Sequence, residues 1–570
     1  MKTSPSHQKL RGAYYTPEPI ASFLCQWAIQ SPNLNILEPS CGDGIFLEEA
    51  MKRLINLHND TSNFSGSVTG IELDPKEGAM AEERLSNFGL KNNRVLISDF
   101  FAYSEKQIST NYKFDVILGN PPFIRNHNFP EEQRDIAFRI MKEVGLKTSK
   151  LTNSWVPFLV SSTILLRNPG RLGMVIPAEL LQVGYAAELR KFLVDSYSRI
   201  TMITFKSLLF HDVQQEVVLL LCEKNGKERN GIRTLEIEDA SYLASFNPEK
   251  VNEVELKPVD HTTEKWTQYF LNSEEIEFMR KVPSANSIFT LGKLVGVDVG
   301  VVTGENDFFV VNNSTIKKYN LKNYITRIVP RSNLIKGAMF TEDDWLSNRN
   351  IEKPVHLITI NENSFNSLPK GVKEYIQLGK DKNVDMGYKC SRRESWWTVP
   401  SIWIPDAFLL RQNNEYPKLI INKANSTTTD TIHRVKAKTG TNILLLTMCF
   451  YNSLTFAHAE IIGRSYGGGV LELEPSEAEK LLVPYVESSD LDIDYIDGLI
   501  RDKKIFELLD YVDRTILIEK CGFTSEEVAN LRGIWLKLMG RRKSRKSMKG
   551  NSTNSSVEKY KTGSELFASS

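Results

Sequence analysis

Between residues 35 and about 225 the sequence alternates short apolar runs with amphipathic stretches. NILEPS, SVTGIELD, RVLISDF, FDVILGN, GRLGMVIP, ITMITF and EVVLLLC read as strands, and the segments between them read as helices. Strands punctuated by helices predict an α/β domain on a largely parallel sheet, because a parallel neighbour is reached only through a crossover. Ligands of such sheets sit beyond the strand C-termini. The residues that end these runs are therefore the first candidates for a site.

At 570 residues the chain is too long for one hydrophobic core. From about 240 the pattern turns irregular and β-rich, with many Asn, Ser and Thr residues. This predicts a first domain over 1–240 and an α+β domain over 241–485. A helical segment over 486–540 follows, with apolar residues three and four apart in DYIDGLIRDKKIFELLDYVDRTILIEK and SEEVANLRGIWLKLM. The basic, then Ser-rich stretch 541–570 reads as a disordered tail. The formal net charge is only +1, so any face that binds nucleic acid must be local.

The cysteines, Cys25, Cys41, Cys222, Cys390, Cys449 and Cys521, form no CxxC pair and sit beside no His cluster. That spacing supports neither a metal site nor a disulfide framework, and suits a reducing, cytoplasmic setting. Apolar stretches such as WVPFLVSSTILL are too short to span a bilayer, and MKTSPSHQKLRGAYY has no signal-like apolar region.

ILEPSCGDGIFLEEA, residues 36–50, reads as strand, glycine turn and helix start. Gly42 and Gly44 let the backbone approach a ligand closely, while the helix start offers unpaired N–H groups. The turn lacks the full GxGxxG spacing of a dinucleotide site, and Glu38 and Asp43 beside it suit a cationic ligand better than a pyrophosphate. The second strand ends GIELDP, placing Glu72 to accept hydrogen bonds from a ribose diol. In SDFF, Asp99 can bond an adenine amino group and Phe100 can lie against the ring.

ILGNPPF, residues 117–123, sets an amide, two prolines and an aromatic ring directly after a buried run. Asn-Pro is a common way to leave a strand, but a turn does not require all four residues at this sheet edge. An exocyclic amine on adenine is a poor nucleophile because its lone pair is delocalised into the ring. Two fixed acceptors, the Asn120 side-chain oxygen and the Pro121 carbonyl, would draw its N–H bonds out of the ring plane. Pro121 and Pro122 fix two φ angles and remove two competing donors. Phe123 offers a face for stacking. The work is orientation and electrostatics, with no dedicated base or metal needed.

The ordered set GAYYTP, EPSCGDG, GIELDP, SDFF and NPPF resembles the gamma-class, Taq-type DNA adenine-N6 methyltransferases of bacterial type II restriction-modification systems. The resemblance implies a Rossmann-like methyltransferase domain with a mixed sheet, followed by an α+β target-recognition domain. It implies S-adenosylmethionine as cofactor and an adenine flipped from double-stranded DNA as substrate. Tyr15, Thr16 and Pro17 then contact the methionine end of the cofactor, with Glu38 near its amino group. Pro39, Ser40, Cys41, Gly42 and Gly44 form the surrounding turn, and Glu72, Asp99, Phe100 and Asn120 complete the cofactor set. Phe210 stands where the family places a second aromatic against the extruded base. Many relatives carry Tyr where this chain has Phe123, a difference that leaves stacking intact.

The second domain resembles Taq-type recognition domains in GVDVGVVTGENDFFVV, CSRRESWWTVPS, KLIINKANSTTTDTIHRVKAKTG and YNSLTFAHAEIIGRSYGGGVLEL. Arg392, Arg393, Lys423, Arg434, Lys436, Lys438 and Arg464 are its candidate DNA contacts. The Gly467–Gly469 run is either a close backbone approach to DNA or a loose turn. Other readings are an RNA or protein-glutamine methyltransferase, and a non-catalytic DNA-binding module. No PD…ExK-type segment stands before residue 12 or after 490, so modification alone is expected; separately, a monomer that methylates each strand in turn is expected. A separate cognate endonuclease then shares the site without needing to bind this chain.

Overall fold

A computed structural model describes residues 15–58, 66–88, 94–207, 216–225, 231–259, 264–285, 287–466 and 468–544. The chain folds as two compact units, the first continuous up to Ile276 and the second spanning Glu277–Arg542.

The first unit begins with helix α1 (Glu18–Ala28), then alternates β1 (Asn35–Glu38), α2 (Ile45–Leu57), β2 (Ser67–Glu72), α3 (Pro75–Ser86), β3 (Arg94–Ile97), α4 (Phe100–Ser109) and β4 (Phe114–Gly119). Helices α5 (Glu131–Glu143) and α6 (Trp155–Leu165) precede β5 (Leu166–Pro177). After α7 (Ala187–Ser196) come β6 (Arg199–Phe205), β7 (Val217–Lys224), β8 (Gly231–Ile237) and β9 (Lys257–Pro258). Each predicted strand is present.

These strands form one nine-stranded sheet in the order β3-β2-β1-β4-β5-β7-β6-β8-β9. From β3 to β5 every pair is parallel, with Ile36 opposite both Val68 and Val116. β7 runs antiparallel between β5 and β6, while β8 pairs parallel with β6, so the sheet is mixed. Apolar residues of α1 and α2, such as Leu24 and Leu47, bury one face together with Ile36, Val116 and Leu118. Helices α4, α5 and α6 pack against one another. Strand order reverses at β1: β2 and β3 add on one side, β4 on the other. That switch point opens a crevice beyond the ends of β1 and β4.

The first unit extends past residue 240, where the sequence pattern changes, because β8 and β9 are hydrogen-bonded members of its sheet. In the second unit, the strand Val295–Val299 pairs antiparallel with Ile432–Ala437, within the sheet that also holds Ala407–Leu410. The C-terminal helices belong to this unit and are not a separate segment. The Asp497 carboxylate accepts a hydrogen bond from Met339 N at 2.9 Å, and Trp535 Nε1 donates to Glu415 O at 3.1 Å. Among the described residues, no helix is long and apolar enough to cross a membrane.

The last helix, Ser525–Ser544, runs beyond the expected start of the tail at 541. The reason is a buried pair. Arg542 and Glu460 are each only 3% exposed, and the guanidinium grips the carboxylate at 2.6 and 2.9 Å while also donating to Asn414 O. Removing one partner strands a buried charge. Arg542→Ala is therefore expected to destabilise the second unit by about 3–5 kcal/mol, read as a lower urea midpoint of the full chain.

Candidate active site

The crevice at the switch point is a cleft of ≈ 860 Å³ lined by the residues that follow β1, β2, β3 and β4. Its first wall is the turn after β1. Gly42 and Gly44 both have left-handed backbone, with φ of 52° and 87°. A Cβ on Gly44 would come within 2.8 Å of Ala81 Cα, so glycine there lets the start of α2 lie against α3. Glu72, at the end of β2, ties this turn down. One carboxylate oxygen accepts from Gly42 N at 2.9 Å and the other from Asp74 N at 2.8 Å. Ser40 donates to Asn120 O at 3.4 Å, while Pro39 and the buried Cys41 complete the wall.

Glu38 is the most unusual group in the cleft. It is 2% exposed, and its Oε2 has no hydrogen-bond partner among the described residues. Burial, followed by the negative charges of Asp43 and Glu72, pushes its carboxyl well above the ordinary range. Asp43 is paired with Arg84 at 2.7 Å. A cationic ligand group would satisfy the open oxygen and offset this repulsion, whereas a phosphate would add to it.

The opposite wall is aromatic. Asp99 caps α4 by accepting from Ala102 N at 2.9 Å, and burial raises its carboxyl. Phe100 is stacked on Phe158 of α6, with ring centroids 4.9 Å apart and planes 14° from parallel. Both rings line the cleft. Phe158 escaped the sequence reading because α6 is buried on nearly every side, so no periodicity separates a cleft residue from a core residue. Tyr15 also lines the cleft, with its hydroxyl donating to Glu77 at 2.8 Å. Pro17 is the N-cap of α1.

The loop after β4 is held from two sides. The Asn120 side-chain NH2 donates to Thr16 Oγ1 at 3.2 Å, which fixes the orientation of the amide. Thr16 thus positions Asn120, a part the sequence did not disclose. Beyond the buried Pro121, the Ser154 hydroxyl donates to Pro122 O and accepts from Ile124 N at 2.9 Å, while Ser154 N donates to Ile124 O at 2.9 Å. Asn153 extends the clamp by accepting from Asn126 N. Phe123 is half-buried against the core of the first unit, and Phe210 falls outside the described residues.

A family model described as N-6 DNA Methylase matches residues 1–288, and one described as the C-terminal domain of the type II methyltransferase M.Eco57I matches residues 263–517. The chain belongs to the N-6 DNA methylase family. Among curated relatives, M.AccI of Acinetobacter calcoaceticus is 24% identical over 84% of this chain and 86% of its own length. M.XamI of Xanthomonas campestris pv. amaranthicola is 22% identical over the same shares. Both are named type II methyltransferases. In fold, the chain resembles the DNA complex of the type IIL restriction-modification enzyme MmeI, with a TM-score of 0.59, 12% identity, and coverage of 92% of this chain and 75% of that one.

This methylase uses several of its expected DNA-contacting cations internally. Arg434 is 3% exposed; it pairs with Asp298 at 2.9 Å, donates to Val299 O and Ser401 O, and lies over Trp403. Arg393 donates to the carbonyls of Val302, Thr303 and Trp396. Arg464 pairs with Glu477, whereas Lys436 and Lys438 stay exposed while bonding Asp406 and Gly292 O, respectively. The buried Arg434 guanidinium is committed to these partners inside the second unit, although the Asp298 carboxylate it pairs with is exposed. Lys423 and Arg392 are exposed.

Ser154→Ala removes the clamp without touching the cleft's carboxylates. It is expected to lower the rate of methyl transfer by about 10- to 100-fold, with cofactor affinity, measured by calorimetry, unchanged. Arg434→Ala should lower the urea midpoint while leaving the salt dependence of DNA binding as it was.

Proposed function

We propose that this methylase transfers a methyl group from S-adenosylmethionine to N6 of an adenine extruded from double-stranded DNA. On this reading it is a monomeric modification enzyme of a type II restriction-modification system, and a separate endonuclease cuts the same sequence when it is unmodified. The observation that carries the reading is the pairing, across one switch point, of an acidic cleft with an Asn-Pro-Pro loop clamped by Thr16 and Ser154.

Glu38, with its open buried oxygen, fits the cofactor's ammonium group, and the Phe100–Phe158 pair fits its adenine ring. Glu72 retains acceptor capacity for the ribose hydroxyls, since each oxygen accepts one backbone bond. When bound, S-adenosylmethionine supplies an electrophilic methyl group on a sulfonium.

The chain's own contribution is orientation. Asn120 Oδ1 and the Pro121 carbonyl accept the two N–H bonds of the target amine and turn its lone pair out of the ring. Because Thr16 and Ser154 hold the loop beforehand, the acceptors need not be organised during the reaction. As the new N–C bond forms and the methyl–sulfur bond breaks to leave a neutral thioether, the amine turns acidic, so its proton passes through these acceptors to water. Phe123 gives the extruded base a face to stack on.

Labelled methyl groups from S-adenosylmethionine should appear in N6-methyldeoxyadenosine when duplex DNA is digested to nucleosides. Label in RNA or protein with none in duplex DNA would sink the reading. Asn120→Ala should abolish turnover while cofactor binding stays nearly intact.

Glu38 gives a pH dependence. Its carboxyl titrates above the usual carboxylate range, and only the ionised form pairs with an ammonium, so cofactor affinity should weaken as pH falls through that raised value. The folded state holds this proton more tightly than the unfolded state, so stability falls as pH rises from the ordinary glutamate range through the raised value. At higher pH, Glu38→Gln should therefore raise the melting temperature, weaken cofactor binding and abolish this pH dependence. Calorimetry and thermal melts over a pH series test both signs.

A further inference from the structure

One surface of the second unit combines exposed apolar side chains with an excess of positive charge. Tyr388 is 66% exposed and Met386 74% exposed, although both sit on a tightly built loop that follows the helix Lys370–Asp381. Turn hydrogen bonds link Met386 N to Asn383 O, Gly387 N to Val384 O and Ser391 N to Gly387 O.

The far end of the loop is anchored below the surface. Cys390 is fully buried with its Sγ against Thr303 O, and the Arg393 guanidinium donates to Thr303 O at 2.6 Å and Val302 O at 3.1 Å. Gly304 makes the close approach possible. Its φ is 90°, and a Cβ there would lie 3.0 Å from Cys390 Sγ and 3.1 Å from Lys389 Cβ. Two distant segments, around 302–304 and 386–393, are thereby joined in one rigid element. Such an element does not present a tyrosine and a methionine to water through looseness.

Between Lys380 and Arg393 the sequence carries five basic side chains and two acidic ones, in a chain whose net charge is only +1. Arg393 is the anchor. The Arg392 guanidinium lies over the Tyr388 ring at 4.3 Å, and Lys389 Nζ is 5.7 Å from the same centroid. A guanidinium stacked by its face keeps its N–H edge available to an anion.

We propose that this loop is a DNA-docking surface, on which Arg392 and Lys389 contact backbone phosphates while Tyr388 and Met386 pack on the sugars or bases between them. The charge complementarity selects duplex DNA as the occupant, and aromatic and apolar side chains at a groove are a recognised way to grip it. The proposal rests on the reading of the chain as a DNA methyltransferase and adds the surface that engages the duplex.

The test is anisotropy of a labelled mixed-sequence duplex over a salt series, with the full chain. Arg392→Ala and Lys389→Ala should each flatten the slope of log affinity against log salt by about 1. Tyr388→Ala should weaken binding several-fold at every salt concentration with the slope unchanged, and Tyr388→Phe should restore it. Unchanged urea midpoints would assign these effects to contact and not to folding. Parental affinity and slope in all the alanine variants, from a chain that still methylates DNA, would overturn this surface while leaving the methyltransferase reading intact. Sedimentation showing a dimer that Tyr388→Ala dissolves would also overturn it, by assigning the loop to a second copy of the chain. A parent chain that neither binds nor methylates duplex DNA would remove both proposals together.

Discussion

The reversal of strand order at β1 is the constraint on which the active site depends. β2 and β3 are added on one side and β4 on the other, so the loops after β1 and β4 leave the sheet side by side with no helix between them. The cleft is the space this leaves. Everything chemical is then a matter of what the two loops carry: carboxylates after β1, and an amide with two prolines after β4. Glu72 holds the first through backbone amides, and Thr16 and Ser154 hold the second.

The cleft keeps an energetic cost in reserve. Glu38 is buried beside two other carboxylates, which favours its neutral form, and the arrangement becomes comfortable only when a positive charge enters. Binding sites commonly carry such local conflicts, where a group costs stability in the free protein and is satisfied by its ligand. The Phe100–Phe158 pair is the apolar counterpart, offering rings at the cleft wall instead of closing the core around them.

In the second unit, positive charge is divided between construction and presentation. Arg434, Arg393, Arg464 and Arg542 are fixed by carbonyls and carboxylates and build the unit. Arg392 and Lys389 remain at the surface beside an exposed ring. The adjacent arginines 392 and 393 are alike in sequence and opposite in use, since one points into a carbonyl cage and its neighbour stacks in the open.

Periodicity and turn chemistry made much of the first unit legible. The apolar runs are the strands, and EPSCGDG, GIELDP, SDFF and NPPF stand at their ends because a ligand-binding turn must follow a strand in this architecture. Those signals are local, so one sequence carries them. What local signals cannot carry is partnership between distant residues. Nothing in a lone Thr16 or Ser154 announces a bond to a loop roughly 100 or 30 positions away, and nothing in α6, buried on nearly every side, marks Phe158 as a cleft residue. The extent of the first unit was hidden for the same reason: β8 and β9 join its sheet by pairing, not by pattern. The sequence by itself determined the fold class, the strand ends and the chemical types at the cleft. Tertiary structure decided which side chains hold the loops, which arginines are buried and which face outward, because burial and hydrogen-bond partners exist only once remote segments have packed together.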